Sequence, residues 1–256
     1  MLVQFAVWLE AGRGIISVAQ IITAGGDQLA TRHDEALKGL EGYSRRRGLD
    51  VFPEVVVWPD FDAALLILLQ SHSLGPMKPN LVLLGWPQER ERWKAYAKNL
   101  RIAAALGKSI VCIIGEPPQT AGPVSRRVDL WWRGQKNGSL MLILAYLLSN
   151  NPEWRHSHIR VLRRVEDEKA REPAYRALQA LVQASRMDVE IAVVVSSDPF
   201  PEVAARLSAN ADVVFLGFVP PEEGKEDEFF DFYGKLAGKL RCMLLISSSG
   251  EADLLA

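Results

Sequence analysis

The sequence predicts an α/β fold made of two similar halves, each a mostly parallel sheet with helices on both faces. Three observations carry this expectation. Short β-branched apolar runs alternate with longer stretches of helical period along the whole chain. The runs are apolar throughout rather than at every second residue, which marks strands covered on both faces. Finally, the pattern restarts near the middle, after a segment rich in proline and glycine.

In chain order, strands are expected near residues 15–23, 51–58, 81–86 and 110–114. Helices are expected between them near 28–47, 61–73 and 88–106. The second series places strands near 128–133, 159–165, 189–196, 213–218 and 243–247, with helices near 138–148, 168–187, 202–209 and 228–240. Strands alternating with helices of this length build parallel sheets. The stretch EPPQTAGPVS cannot continue a helix or a central strand. The expected organisation is therefore a first subdomain at 1–115, a linker at 116–125 and a second subdomain at 126–256.

The halves resemble each other in detail. Asn80-Leu-Val-Leu-Leu-Gly-Trp86 parallels Asp212-Val-Val-Phe-Leu-Gly-Phe218. Val55-Val-Val57 before Pro59-Asp60-Phe61 parallels Val193-Val-Val195 before Asp198-Pro-Phe200. Such self-similarity points to a duplicated βα unit. The halves also differ. A strand precedes the first helix of the second half, whereas Leu2, Phe5, Ala6 and Leu9 form a helical stripe at the very start of the first. Residues 1–11 are thus expected to be the first helix of the unit, without the strand that should precede it. On this reading the chain starts inside a βα unit, as a piece of a longer polypeptide.

Composition narrows the function classes. Hydrophobic residues make up 48% of the 256, enough for a packed core, and charged residues make up 24%. A net charge of −1 without a basic stripe offers nothing to a nucleic acid or an anionic membrane. Cys112 and Cys242 lie far apart inside apolar segments, as buried thiols do, and no zinc spacing is present. The longest apolar run, residues 140–148, is too short to span a bilayer, and no signal peptide is visible. These features lead to the expectation of a soluble cytoplasmic chain.

No nucleophile elbow, phosphate-binding loop or H-E-x-x-H motif is found, so no catalytic, cofactor or metal residues are assigned. Gly12 and Gly14 follow a helix rather than a strand and lack the third glycine of a dinucleotide fingerprint. Glu166-Asp167-Glu168 reads as a helix cap rather than a metal site. The acidic run at 222–231 reads as a solvated loop entering an amphipathic helix. The most distinctive stretch is RVDLWWRGQKNGSLMLILAYLL, residues 127–148. Trp131 and Trp132 are successive strand residues, so they face opposite sides of the sheet. Gly134 and Gly138 flank the strand-to-helix turn, whose tip is Gln135, Lys136 and Asn137. That tip is read as a capped turn, with anion binding at the helix start as the lesser alternative.

This stretch resembles a signature of the cation-chloride cotransporter C-terminal cytosolic domains. The matching residues are Asp129, Trp131, Trp132, Gly138, Leu140, Met141, Leu142, Leu144 and Tyr146. A second segment, Leu74-Gly-Pro-Met-Lys78-Pro79-Asn80 through Gly85, is similar to the family's Lys-Pro-Asn segment, and Trp154 with 159–161 fits the run that follows. Asn137-Gly138-Ser139 stands where a glycine pair is more usual.

The resemblance implies two universal-stress-protein-like, Rossmann-like subdomains that regulate transport without catalysis. It implies a homodimer at the inner face of the cell membrane, with a membrane-embedded domain on the same or a neighbouring polypeptide carrying Na⁺, K⁺ and Cl⁻. The competing reading is a free-standing stress-protein-like module that binds a nucleotide at the loops after Gly85 and Gly217. Those loops are bulky, proline-containing and acidic, and they offer few backbone N–H groups to a phosphate.

Overall fold

The computed structural model describes residues 1–12, 14–118, 125–185 and 187–250. Of the expected linker, residues 119–124 lie outside the described residues. The first half contains α1 (Leu2–Glu10), β1 (Ser17–Thr23), α2 (Leu29–Arg47), β2 (Phe52–Trp58), α3 (Phe61–Ser71), β3 (Leu81–Gly85), α4 (Trp93–Ala105) and β4 (Ser109–Gly115). The second contains β5 (Arg127–Trp131), α5 (Gln135–Asn150), β6 (His158–Val165), α6 (Arg171–Ser185), β7 (Glu190–Val195), α7 (Phe200–Leu207), β8 (Val213–Gly217), α8 (Glu226–Ala237) and β9 (Cys242–Ser247). The expected α/β class and the order of elements are both observed. Residues 2–10 form a helix, as their stripe predicts.

The sheets are arranged differently from one sheet per half. Seven strands share one sheet in the order β3-β4-β9-β8-β5-β6-β7, while β1 and β2 form a separate parallel pair. The seven-stranded sheet crosses the boundary between the halves because β4 and β9 pair antiparallel, with Cys112 opposite Leu245. Among the described residues the other pairings between these strands are parallel. Periodicity shows that β4 and β9 are buried on both faces; it carries no information about which strand lies beside which.

The second half is doubly wound. β5 is its central strand, with β6 and β7 on one side and β8 and β9 on the other. Strand order therefore reverses between β5 and β8, and open α/β sheets take their ligands outside the strand C-termini at such a point. Two cores flank the large sheet. One joins Phe5 and Trp8 of α1, the buried face of α5, and Leu178 and Leu181 of α6 to Val128, Leu130, Trp132 and Phe215. The other joins Leu100 of α4, Val203 of α7 and Leu236 of α8 to Trp131, Val214, Leu216 and Leu245. Trp131 and Trp132 sit in different cores, as strand alternation requires.

Contacts between helices also bind the halves. Arg101 on α4 donates to Glu226 on α8 at 3.0 Å and to the carbonyl of Pro221 at 2.8 Å. Glu226 is buried, not part of a solvated loop, because this arginine and the Gly224 N–H both donate to its carboxylate. Beside it, Phe230 stacks on Trp93 with ring centres 4.9 Å apart, and Trp86 packs against the same ring. Each such aromatic pair adds about 1 kcal/mol to the area it buries.

Candidate functional site

The tryptophan-pair segment lies at the crevice between β5 and β8, so its geometry decides whether that crevice can hold a ligand. Trp131 ends β5, fully buried; its indole N–H donates to the Ser208 hydroxyl at 3.0 Å, and Phe200 meets it edge-on. Trp132, on the opposite face, lies across the first turns of α5. A Cβ added at Gly138 would fall inside its ring, so only glycine lets the helix approach this closely. Leu140 and Met141 continue the buried face of α5. Gly134 has φ 175, ordinary extended backbone, and open space around it.

Asn137 closes the crevice. The helix starts at Gln135, three residues earlier than the apolar pattern indicates, and this turns Asn137 inward. Its side-chain amide donates to the Phe218 carbonyl at 2.8 Å, and its carbonyl oxygen accepts from the Ser248 N–H at 2.9 Å. One side chain thereby ties the loops after β8 and β9 to the start of α5. A Cβ at Gly217 would stand 3.0 Å from Asn137, which shows how closely the strand end approaches it. Gln135 and Lys136 are exposed.

The loops at the strand ends are occupied in the same way. The Phe218 N–H donates to the Ile246 carbonyl at 2.9 Å, and its ring is buried beside Phe229. The Trp86 N–H donates to the Ile113 carbonyl at 3.1 Å, and its ring packs among Tyr96, Phe229 and Phe230. The first N–H after each strand-end glycine is therefore spent on the sheet and is not available to a phosphate.

In the middle of β5, Asp129 is fully buried. Arg160 on β6 donates to both its oxygens, at 2.9 and 2.7 Å, and Arg127 donates at 3.2 Å. Burial pushes its pKa up, while the Ser208 hydroxyl and Arg127 pull it down. This fork links neighbouring strands at the register Asp129 opposite Arg160. Sequence reading missed it, since the two residues lie on different strands; a buried acid between apolar neighbours was the available clue. The arginines continue to a shallow cleft of ≈ 300 Å³, also lined by His158 and Glu190, which pair with each other at 2.7 Å.

The second signature segment lies elsewhere. Lys78 and Asn80 are exposed and Pro79 is half-buried, in the loop that enters β3. The Asn80 carbonyl accepts from the Ser109 N–H, and the Pro79 carbonyl accepts from the Lys108 ammonium. Gly85 ends β3, which three strands separate from β5 in the sheet, and Tyr146 is exposed on α5. The two segments therefore do not meet in one site.

Asp167 accepts from the Ala170 N–H at 2.9 Å, the helix cap expected of that acidic run. Among the described residues no group of three or more metal-ligating side chains is found, and no helix is long and apolar enough to cross a membrane. Burial raises the thiol pKa of both Cys112 and Cys242 to about 12.

The chain is 30% identical over 132 residues to potassium/chloride cotransporter 3 of Caenorhabditis elegans, a match covering 50% of this chain and 12% of that protein. No family model matches it. In fold it is similar to the cytoplasmic domain of a prokaryotic cation chloride cotransporter, with a TM-score of 0.66 at 18% identity, covering 98% of this chain and 92% of that one. It is also similar to a universal stress protein from Archaeoglobus fulgidus, with a TM-score of 0.60 at 11% identity over 97% and 93% of the two chains. Over half its length the chain is thus similar in sequence to a potassium/chloride cotransporter, and over nearly all of it similar in fold to the cytoplasmic domain of a prokaryotic cation chloride cotransporter.

Proposed function

We propose that this chain is a non-catalytic cytosolic regulatory and dimerisation domain of a cation-chloride cotransporter. On this reading it acts at the inner face of the cell membrane, as a homodimer, beside a membrane-embedded domain that carries Na⁺, K⁺ and Cl⁻. The supporting observation is the filled crevice. At the position where a doubly wound sheet takes its ligand, Asn137 bonds the carbonyl of Phe218 and the N–H of Ser248. A crevice closed by its own side chains favours a regulatory reading over a catalytic one. The likeness to a potassium/chloride cotransporter supports the transporter partner.

The test is co-expression with a membrane-embedded cotransporter domain, followed by purification and sedimentation. Retention with the membrane protein and a dimeric mass are expected. A monomer that never associates with that partner would overturn the proposal. Calorimetric titration with ATP tests the competing module: no heat is expected, and micromolar binding would favour the nucleotide reading.

A further inference from the structure

The duplicated units do not fill the same positions. In the second half β5 lies between β6 and β8 and pairs with both. The first half contains the counterparts of the outer strands only. Val55–Val57 on β2 matches 193–195 on β7, and the pairing of Val55 with Gln20 matches that of Val193 with Arg163. β1 is therefore the counterpart of β6, and β3 is that of β8. Yet β1 and β3 belong to separate sheets, and among the described residues each has a strand on one side only.

Two further observations locate this slot. α1 is placed on β3 as α5 is placed on β8: Leu2 lies 4.0 Å from a Cβ built on Gly85, as Asn137 lies 3.0 Å from one built on Gly217. The helix that would follow the strand is thus already in position. Apolar surface is also uncovered on this half. β3 is half-buried along its length whereas β8 is buried, and Ile15, Phe52, Trp58 and Ile67 are exposed.

We propose that the free edges of β1 and β3 form an acceptor slot for one extended polypeptide strand from outside residues 1–256, parallel to both. The repeat supplies its chemistry. Leu130 of β5 lies between Val161 and Phe215, and Trp131 between Leu162 and Leu216. The corresponding positions face Val18 with Leu83 and Ala19 with Leu84, so the strand carries apolar residues at both. The second is bulky, because Ala19 is small and exposed where Leu162 is large and buried. Ser17 replaces Arg160, so no carboxylate is needed where β5 has Asp129. Main-chain hydrogen bonds to both edges supply the affinity. This inference is independent of the transporter reading.

The test is hydrogen–deuterium exchange on the full chain with a synthetic peptide of the 127–132 sequence carrying Asp129→Val. A second arm fuses the same segment ahead of Met1 through a three-residue link, which raises its effective concentration. In at least one arm, amides of β1 and β3 are expected to exchange about tenfold more slowly or better, while those of β8 stay unchanged. The same peptide with Leu130→Pro should have no effect, because it cannot complete the ladder. Unchanged exchange at β1 and β3 in both arms overturns the proposal. So does concentration-dependent protection of those edges without peptide, since a second copy would then occupy them.

Discussion

β3 and β8 are nearly the same strand in two environments. Their sequences, LVLLG and VVFLG, end on the same glycine and lead into an aromatic residue. β8 has a strand on each side and is buried; among the described residues β3 pairs only with β4, and it stays half-buried. The contrast extends beyond one strand. Among the described residues from 15 to 80, the buried apolar side chains are Val55, Ala64 and Leu65, and the 19-residue α2 buries none. In the second half, β5, β8 and β9 are buried almost throughout. Apolar sequence thus sets what a strand can bury, and its place in the sheet sets what it does bury.

Paired substitutions break or sharpen this comparison. Phe215→Ala empties a fully buried site and should cost about 4 kcal/mol, whereas Leu83→Ala at the corresponding place in β3 should cost about 1 kcal/mol. Urea denaturation of both variants reads the difference, and equal losses would show that the two strands are equally supported. Asp129→Ala leaves Arg160 without its buried partner and should cost about 3 kcal/mol by the same measurement. Gly138→Ala places a methyl inside the Trp132 ring, at about 2 kcal/mol; Trp132→Leu in the same chain should recover part of that, because the two effects share one contact. Gly134→Ala, in open space, should change stability by less than about 0.5 kcal/mol.

The thiols give a pH-dependent prediction. Cys112 and Cys242 stay protonated to about 12 in the folded chain, whereas an unfolded thiol ionises near 8.5. The unfolded state then binds fewer protons between those values, so stability falls as pH rises through that window. Below about 8.5 both states hold the proton and the effect vanishes. In native protein at pH 8 neither thiol should react with a disulfide reagent, and both should react in denaturant.

Much of the fold was legible in the sequence. The buried strands of the second half are continuous apolar runs, and the adjacent tryptophans required a sheet covered on both faces. The helical stripe Leu2, Phe5, Leu9 disclosed the helix at residues 2–10. What remained hidden depends on residues far apart in the chain. Antiparallel pairing of β4 with β9 joins two runs that each look complete alone. Arg160 lies on the strand beside Asp129 and follows no motif. Asn137 looked like the tip of an exposed turn, because its neighbours Lys136 and Gln135 are polar; only the packing of α5 shows it turned inward. Its two hydrogen bonds go to residues 81 and 111 positions away.

β5 fills a slot between β6 and β8, and among the described residues no strand fills its counterpart between β1 and β3. Native-state hydrogen exchange on the isolated chain tests this most directly. Amides of β5, β8 and β9 should exchange only through global unfolding, and those of β1 and β3 about a hundredfold faster through local opening. Equal protection across both halves would contradict it.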